Sequence, residues 1–358
     1  MSTKYAPRLT LKASITVLHL CILPGSLGIL TGMCAGMYWF MYDITGEEKW
    51  KLQAKFLTQG LRGAQFEDDQ DLGFQVLNSY GLGLKLIPTN NWWERKVLTA
   101  AETLDRLRWM EDVGGYYAWK SPKRRPEWER AINIDMIMNM EILLQADIWS
   151  GQSLYTEKAI SHADRTWTDL VKDDYGTWHV ADYTNYTTAG IIDKGTYQGY
   201  SDDSTWSRGQ AWAVYGFAMF YRITQEPRYL DYAQKTLGYF MDNLPADMVA
   251  YADFDAPVEG QCKDSSANAI VASALIDLTV TTRDLSFAEM AESLLEPLLT
   301  AEYLVNPVTS TYESILMKGC REWGDVELGT ITGDYFFLEA LLRYKNLYTA
   351  APVSPHYH

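Results

Sequence analysis

The chain has 358 residues, of which 47% are hydrophobic and 22% charged, so it can bury a large core as one big domain or two medium ones. Its net charge of −15 opposes nucleic-acid binding, because contacts to phosphates need a basic surface that releases counterions. The same charge disfavours an anionic membrane surface, so neither a nucleic acid nor a membrane is an expected partner.

The N-terminal segment allows three interpretations, since residues 13–42 carry no formal charge. A secretory signal peptide within residues 1–28 would use residues 15–23 as its apolar stretch. A membrane anchor has the required length, but Pro24 and repeated glycines make a poor spanning helix. Alternatively, part of the stretch is simply the first core helix. The sequence therefore leaves a secreted and a cytoplasmic location both open.

Beyond residue 29 the apolar residues recur with helical spacing, and the alternation typical of strands is scarce. Loops rich in Gly, Pro, Asp and Asn separate the helical stretches, without a low-complexity break. The pattern predicts one all-α domain of paired helices over residues 29–349, followed by a tail at 350–358. Periodicity alone fits a closed toroid and an open solenoid equally well. The predicted helical stretches are 37–59, 73–87, 92–108, 131–149, 155–172, 206–223, 227–243, 264–282, 286–304 and 333–347.

Residues 173–205 break this pattern, since they are polar and Tyr-rich and contain Gly without helical spacing. A connection of this length without structure of its own usually carries binding or catalytic residues. We therefore expect functional side chains within it.

Two aspartates stand at predicted helix starts. Asp71 is the last acid before an apolar helix, a position that N-capping alone explains. Asp135 lies in the almost wholly apolar run 132–140, where it either caps a helix, faces solvent or lines a cavity. In a cavity, desolvation would raise its pKa and let it donate and recover a proton near neutrality. Asn139 would follow one helical turn along the same face.

The segment 195–212 combines polar groups, aromatic rings and one guanidinium. If a helix starts near Thr205, then Arg208 and Trp212 lie one turn apart on one face. A guanidinium beside an indole would suit the carboxylate and the ring of a uronic acid. A core Trp with a surface Arg is the alternative interpretation.

The cysteines and the short motifs argue against several classes of protein. Four widely spaced cysteines include no Cys-x-x-Cys pair and no accompanying His spacing for zinc, so we expect neither a disulfide framework nor a structural metal. The zinc-protease, phosphate-loop, dinucleotide and serine-hydrolase motifs are missing as well.

Three segments, in this order, resemble the signature blocks of glycoside hydrolase family 88, the unsaturated glucuronyl hydrolases. The third block is long and highly specific. Two later segments resemble further blocks of the family, so the similarity covers residues 29–347. The five segments are residues 71–74, 134–141, 198–212, 264–267 and 333–341.

The resemblance implies an (α/α)6 barrel, or six-hairpin toroid, with a pocket at one end of its inner helices. It implies a hydrolase that releases a 4,5-unsaturated uronic acid from the non-reducing end of lyase-generated oligosaccharides by hydrating the C4=C5 bond. In that mechanism Asp135 is the general acid and base, and Asp71 assists. No metal or organic cofactor is expected. The substrate-binding positions correspond to Thr196, Gln198, Arg208, Trp212 and His179.

The chain also departs from the family pattern, and alternatives remain. Segment 29–36 has no Trp or Pro, Gln70 and Tyr197 replace common histidines, and segment 329–332 lacks the usual serine and aromatic pattern. An unsaturated rhamnogalacturonyl hydrolase would share the barrel, and a non-catalytic sugar-binding barrel would share the pocket. An ordinary glycosidase would also use two carboxylates. The source glycan and the oligomeric state stay open.

Overall fold

The structure is a computed structural model that describes residues 29–88, 91–186, 192–306, 308–310 and 312–349. It is mainly helical, as the sequence predicts. The helices are α1 (Ile29–Thr45), α2 (Glu48–Gly60), α3 (Leu72–Val76), α4 (Leu82–Leu86), α5 (Asn91–Arg108), α6 (Met136–Asn139), α7 (Glu141–Ser150), α8 (Thr156–Leu170), α9 (Ser207–Thr224), α10 (Pro227–Asp242), α11 (Ser265–Thr282), α12 (Leu285–Leu298) and α13 (Ile331–Tyr348). A 3-10 turn (Ala64–Phe66) precedes α3, and a π-helical turn (Leu77–Gly81) joins α3 to α4. The strands are β1 (Trp109–Met110), β2 (Gly115–Tyr116), β3 (Ala131–Asn133), β4 (Val180–Asp182) and β5 (Asp193–Gly195).

The inner helices form a closed ring. Helix α1 contacts α3, the α3 segment contacts α6 and α7, α6 contacts α9, α9 contacts α11, α11 contacts α13, and α13 returns to α1. Helices α2, α5, α8, α10 and α12 follow ring members along the chain, and each buries only part of its surface. The ring members α9 and α11 are buried on nearly all sides, as expected for helices packed in an interior. The predicted toroid is therefore confirmed, and the open solenoid is excluded.

Helix α1 belongs to the ring. Its side chains from Met33 to Met41 are buried, so the part of the uncharged stretch after residue 30 is core. This agrees with the interpretation that the stretch contains the first core helix. The predicted signal peptide or extension at 1–28 and the tail at 350–358 lie outside the described residues. Within the described ranges, no helix combines the length and the apolar character that crossing a membrane requires.

Several predicted helix bounds are wrong. The predicted helix 37–59 is two helices, because Gly46 adopts a left-handed φ of +69° and ends α1. The predicted helix 131–149 starts later, since residues 131–133 pair with β4 as strand β3. The predicted helix 286–304 ends at Leu298.

The connection 173–205 contains two short strands that the sequence did not reveal. Strands β3, β4 and β5 form an antiparallel sheet in that order. Asn133 pairs with Val180, and Val180 pairs with Gly195. This register brings three residues together beside the start of α6. They are Ile134, which follows Asn133, His179, which precedes Val180, and Thr196, which follows Gly195.

The expectation of no disulfide is also wrong. Cys262 and Cys320, 58 residues apart in sequence, are joined in a disulfide with their Cα atoms 6.0 Å apart. Spacing along the chain did not reveal the pair, because the two cysteines lie in separate loops that only the closed ring brings together.

Candidate active site

Asp71 and Asp135 occupy equivalent places, each immediately before the first residue of an inner helix. In the part of the chain that the structure describes, neither carboxylate accepts a capping hydrogen bond from its helix. Asp264 and Thr330, by contrast, do cap α11 and α13 with their side chains. Capping therefore does not explain the two acids.

Asn133 takes the capping role at α6. Its Oδ1 accepts a hydrogen bond from the backbone N–H of Met136 at 3.1 Å. Its Nδ2 lies 3.5 Å from Asp135 Oδ2 and 3.3 Å from the Oε1 of Gln70. Asn133 thus caps the N-terminus of α6, so the Asp135 carboxylate is not needed as the cap and can face the site.

Asn139 connects the two helices that carry the acids. Its Nδ2 donates to Asp71 Oδ1 at 3.2 Å, and its Oδ1 accepts from the backbone N–H of Phe74 at 3.0 Å. A Cβ at Gly73 would lie only 2.7 Å from the Cα of Asn139, so the glycine permits this close approach of α3 and α6. Asn139 was predicted to lie one helical turn from Asp135, but its side chain hydrogen-bonds to Asp71.

Asp135 has an unsatisfied oxygen. Its Oδ1 is buried and has no hydrogen-bond partner among the described residues. Leaving a buried acceptor unpaired costs about 1–3 kcal/mol in a folded protein. Such an atom marks a place where a proton or a ligand completes the hydrogen bonding.

Both acids hold protons unusually firmly. Burial and the neighbouring charge of Asp69 raise the pKa of Asp71 to about 7, although hydrogen bonds from Asn139 and Gln70 oppose the shift. Burial and the charge of Asp71 raise the pKa of Asp135 to about 7, against the attraction of Arg208. Both carboxyls thus have a pKa near neutrality, and a negative charge on Asp71 favours the protonated form of Asp135.

His179 is a neutral hydrogen-bond donor at this site. Its Nδ1 accepts from the backbone N–H groups of Tyr197 and Gln198 at 3.1 and 3.3 Å and lies 3.2 Å from Thr196 Oγ1. Burial and the charges of Arg208 and Arg124 lower its pKa to about 3. The remaining proton therefore sits on Nε2, which is buried and has no partner in the described chain.

Arg208 is buried rather than exposed at the surface. Its Nη1 donates to Asp264 Oδ2 at 2.6 Å and to the carbonyl oxygen of Cys320 at 2.6 Å, and its Nη2 donates to the carbonyl of Arg321. These contacts hold the guanidinium in one orientation. A guanidinium has five N–H groups, so those not used here can bind an anion.

Trp212 is buried inside the ring, between α3 and α13. It is 3% exposed and packs against Phe74 and Phe336 with ring centroids 5.5 and 5.3 Å away. Arg208 and Trp212 lie one turn apart on α9, as predicted. The indole, however, is buried among aromatic rings and does not form an exposed stacking surface.

Gln198 is tied to the loop that follows the disulfide. Its side-chain Nε2 donates to the backbone carbonyl of Arg321 at 2.9 Å, and its backbone carbonyl accepts from the N–H of Trp323 at 2.8 Å. Thr196 supports His179 and accepts from the N–H of Gly199 at 2.7 Å. The structure thus brings the predicted residues of 196–208 to one place beside Asp135.

Two contributors were not assigned a role from the sequence. Asn133 stands two residues before Asp135, a spacing that could have suggested a helix cap. Asp264 lies in a recognised block, but only the folded ring shows that it pairs with Arg208 across 56 residues.

Over the described residues, no cluster of three or more His, Cys, Asp or Glu side chains could hold a metal ion.

No family model matches the chain. It is 36% identical over 326 residues to an unsaturated glucuronyl hydrolase from Formosa agariphila, covering 88% of this chain and 80% of that one. It is 32% identical to an unsaturated glucuronyl hydrolase from Bacillus sp. GL1, covering 87% and 85%.

A solved structure agrees with the fold. The crystal structure of an unsaturated glucuronyl hydrolase specific for heparin superposes with a TM-score of 0.86 at 27% identity. The match covers 96% of this chain and 97% of that chain. The overall fold is therefore shared with that enzyme over nearly its whole length.

Proposed function

The chain belongs to the unsaturated glucuronyl hydrolase family, and on this basis we propose that the Asp71–Asp135 pair is its catalytic centre. The enzyme is a glycosidase that removes a 4,5-unsaturated uronic acid from oligosaccharides by hydrating the C4=C5 double bond. The observation that carries the assignment of the centre is the unpaired, buried Oδ1 of Asp135, on a carboxyl whose pKa is raised to about 7.

The reaction is an addition of water to an enol ether. Asp135 gives its proton to C4, and the π electrons leave a cation at C5 that the ring oxygen shares. Water adds to C5 and loses a proton to the Asp135 carboxylate, which restores the acid. The resulting hemiketal opens, and C1 then expels the next sugar. A single carboxyl can act as acid and then as base when its pKa lies near the working pH.

Asp71 assists by its charge. An ionised Asp71 raises the pKa of Asp135, so the proton stays on the residue that delivers it. The negative charge of Asp71 also stabilises the cation that develops at C5. Asn139 holds the carboxylate in place for both effects.

The substrate carboxylate needs local donors, because the chain as a whole is strongly acidic. In our proposal the unused N–H groups of Arg208 bind this carboxylate, and the Nε2–H of His179 donates to a neighbouring substrate oxygen. Thr196 and the backbone N–H of Gln198 hold His179 in position, and both residues line the proposed pocket. Trp212 closes its floor.

A panel of unsaturated disaccharides tests the proposal. Products of chondroitin, hyaluronan, heparin, ulvan and gellan lyases are incubated with the protein, and the absorbance of the conjugated alkene is followed. We expect the absorbance to decay with at least one of them. A complete absence of decay across the panel would reject the proposed reaction, and the pattern of decay identifies the glycan class.

A further inference from the structure

The loop 318–324 carries acceptors for two of the proposed substrate-binding residues. The carbonyls of Cys320 and Arg321 accept from Arg208, and the carbonyl of Arg321 also accepts from Gln198 Nε2. The N–H of Trp323 returns a hydrogen bond to the carbonyl of Gln198. The position of this loop therefore sets the position of both side chains.

Asp264 strengthens the same arrangement from the other side. Its Oδ2 binds Arg208, while its Oδ1 accepts from Ser266 Oγ at 2.5 Å and lies 3.4 Å from the N–H of Cys320. One buried carboxylate thus contacts both the guanidinium and the loop. A displaced loop would disturb this charged pair as well as the carbonyl contacts.

Apart from its cysteine, the loop has one aromatic contact, between Trp323 and Tyr200 with ring centroids 4.8 Å apart. Cys320 is fully buried, whereas Arg321, Trp323 and Gly324 are exposed. The small hydrophobic cluster beneath it consists of Ala252, Cys262 and Cys320, separate from the main core. The disulfide partners therefore form two of the three members of this cluster, while polar contacts such as Gly319 with Leu328 and Glu322 with Arg124 hold the rest of the loop.

We propose that the Cys262–Cys320 disulfide is a positioning bond, which holds the loop 318–324 so that Arg208 and Gln198 present their donors to the substrate. This inference rests on the proposed function. Reduction takes up two electrons and two protons from a dithiol and breaks the S–S bond into two thiols. The loop then loses its covalent tether while the catalytic acids stay on α3 and α6.

Separate anchoring predicts a specific kinetic signature. Asp71 and Asp135 are held by Asn139 and Asn133, which have no contact with the loop among the hydrogen bonds described for them. Opening the disulfide should therefore raise KM about ten-fold, the factor that about 1.4 kcal/mol of lost binding represents, while kcat changes little. A general loss of folding would instead lower kcat and the melting temperature together.

The test compares the oxidised protein, the protein treated with dithiothreitol, and the double variant Cys262→Ser/Cys320→Ser. KM and kcat are measured on the best disaccharide of the panel, and alkylation with mass analysis counts the thiols. Cys34 is also disulfide-bonded, so dithiothreitol acts on more than one bond. The double variant isolates the bond in question, because it should show the raised KM before treatment and no further rise after it.

A matched background makes the test specific to Arg208. In Arg208→Lys the positioned fork is already lost, so opening the disulfide should raise KM much less than in the native protein. Should the double variant fail to fold, the treated native protein and the treated Arg208→Lys protein still give this comparison.

Two different failures remain distinguishable. An unchanged KM in a native protein whose Cys262 and Cys320 are shown to be alkylated would overturn the positioning role. An equal rise of KM in the Arg208→Lys background would overturn it too. An oxidised native protein that consumes none of the disaccharides would reject the proposed function instead.

Discussion

Asp135 differs from an ordinary helix-start aspartate because another residue does the capping. Asn133 satisfies the N–H of Met136, and the carboxylate is left with an unpaired oxygen. The sequence indicated Asp135 through its apolar surroundings, Asp71 through its place before an apolar helix, and both through the family blocks that contain them. It did not indicate Asn133, since its position depends on the pairing of β3 with β4, which no helical period reveals.

The coupled acids predict a pH optimum near neutrality. The proposed mechanism needs a proton on Asp135 and a charge on Asp71, and the pKa of each is raised to about 7. We expect kcat/KM to follow a bell-shaped curve centred near pH 7. In Asp71→Asn the charge that raises the pKa of Asp135 is gone, so the alkaline limb of the residual activity should move to lower pH. An alkaline limb that stays at the same pH in Asp71→Asn would contradict the electrostatic coupling between Asp71 and Asp135.

The same shifts predict a pH dependence of stability. A carboxyl whose pKa is raised on folding stabilises the fold only while protonated, so stability is lost as pH rises from about 4, the unfolded pKa, through about 7. Asp135→Asn should therefore melt at a higher temperature than the native protein at pH 8 and at an equal temperature at pH 4. Calorimetry at both pH values measures this. An equal or lower melting temperature of the variant at pH 8 would contradict the raised pKa of the buried Asp135 carboxyl.

At the scale of helices, the site depends on how closely α3 and α6 approach. Periodicity predicted helices in both regions but neither their short lengths nor the π-helical turn at Leu77–Gly81. These features depend on contacts between ring members, such as the contact of Gly73 with Asn139, and a single helix pattern does not contain them.

Gly73→Ala tests this close approach. The new Cβ would meet the Cα of Asn139 at 2.7 Å and its Oδ1 at 2.7 Å, so α3 must move and the support of Asp71 is lost. We expect about 1–3 kcal/mol of destabilisation from overpacking and a loss of kcat. Gly238→Ala on α10 is the matched control, because its Cβ would meet nothing within 4 Å. That variant should be more stable by about 0.4–1 kcal/mol, with unchanged kinetics. Equal effects of the two changes would refute the packing argument.

At the scale of the whole molecule, the ring encloses a charged interior in addition to the proposed catalytic pair. A cavity of about 510 Å³ lies among the inner helices and is lined by Glu141, Arg222, Asp277 and Glu339, among others. Arg222 bonds Glu141 at 2.8 Å and Asp277 at 2.9 Å with a side chain 8% exposed. The toroid followed from the family blocks, whereas these pairs and the disulfide appear only when the ring closes.

Arg222→Leu tests the role of the charged interior. Removing the guanidinium takes the nearest cation from two largely buried carboxylates, and Asp277 keeps only Arg343 at 3.9 Å, so we expect a loss of about 3–5 kcal/mol in the free energy of unfolding. The surface pair Lys235–Asp231 serves as control, since Lys235→Ala should cost less than about 1 kcal/mol. Denaturant titration gives both values, and KM should be unchanged in each variant that folds. A cost for Arg222→Leu no larger than that of the control would show that the cluster does not stabilise the ring.

The central claim is that Asp135 delivers the proton to C4, and the most direct measurement is the rate of alkene loss catalysed by Asp135→Asn. An amide keeps the shape of the side chain but cannot donate and recover the proton, so we expect kcat to fall by about 10²–10⁴ while the fold persists. A folded Asp135→Asn protein that consumes the unsaturated disaccharide at the native rate would contradict the account.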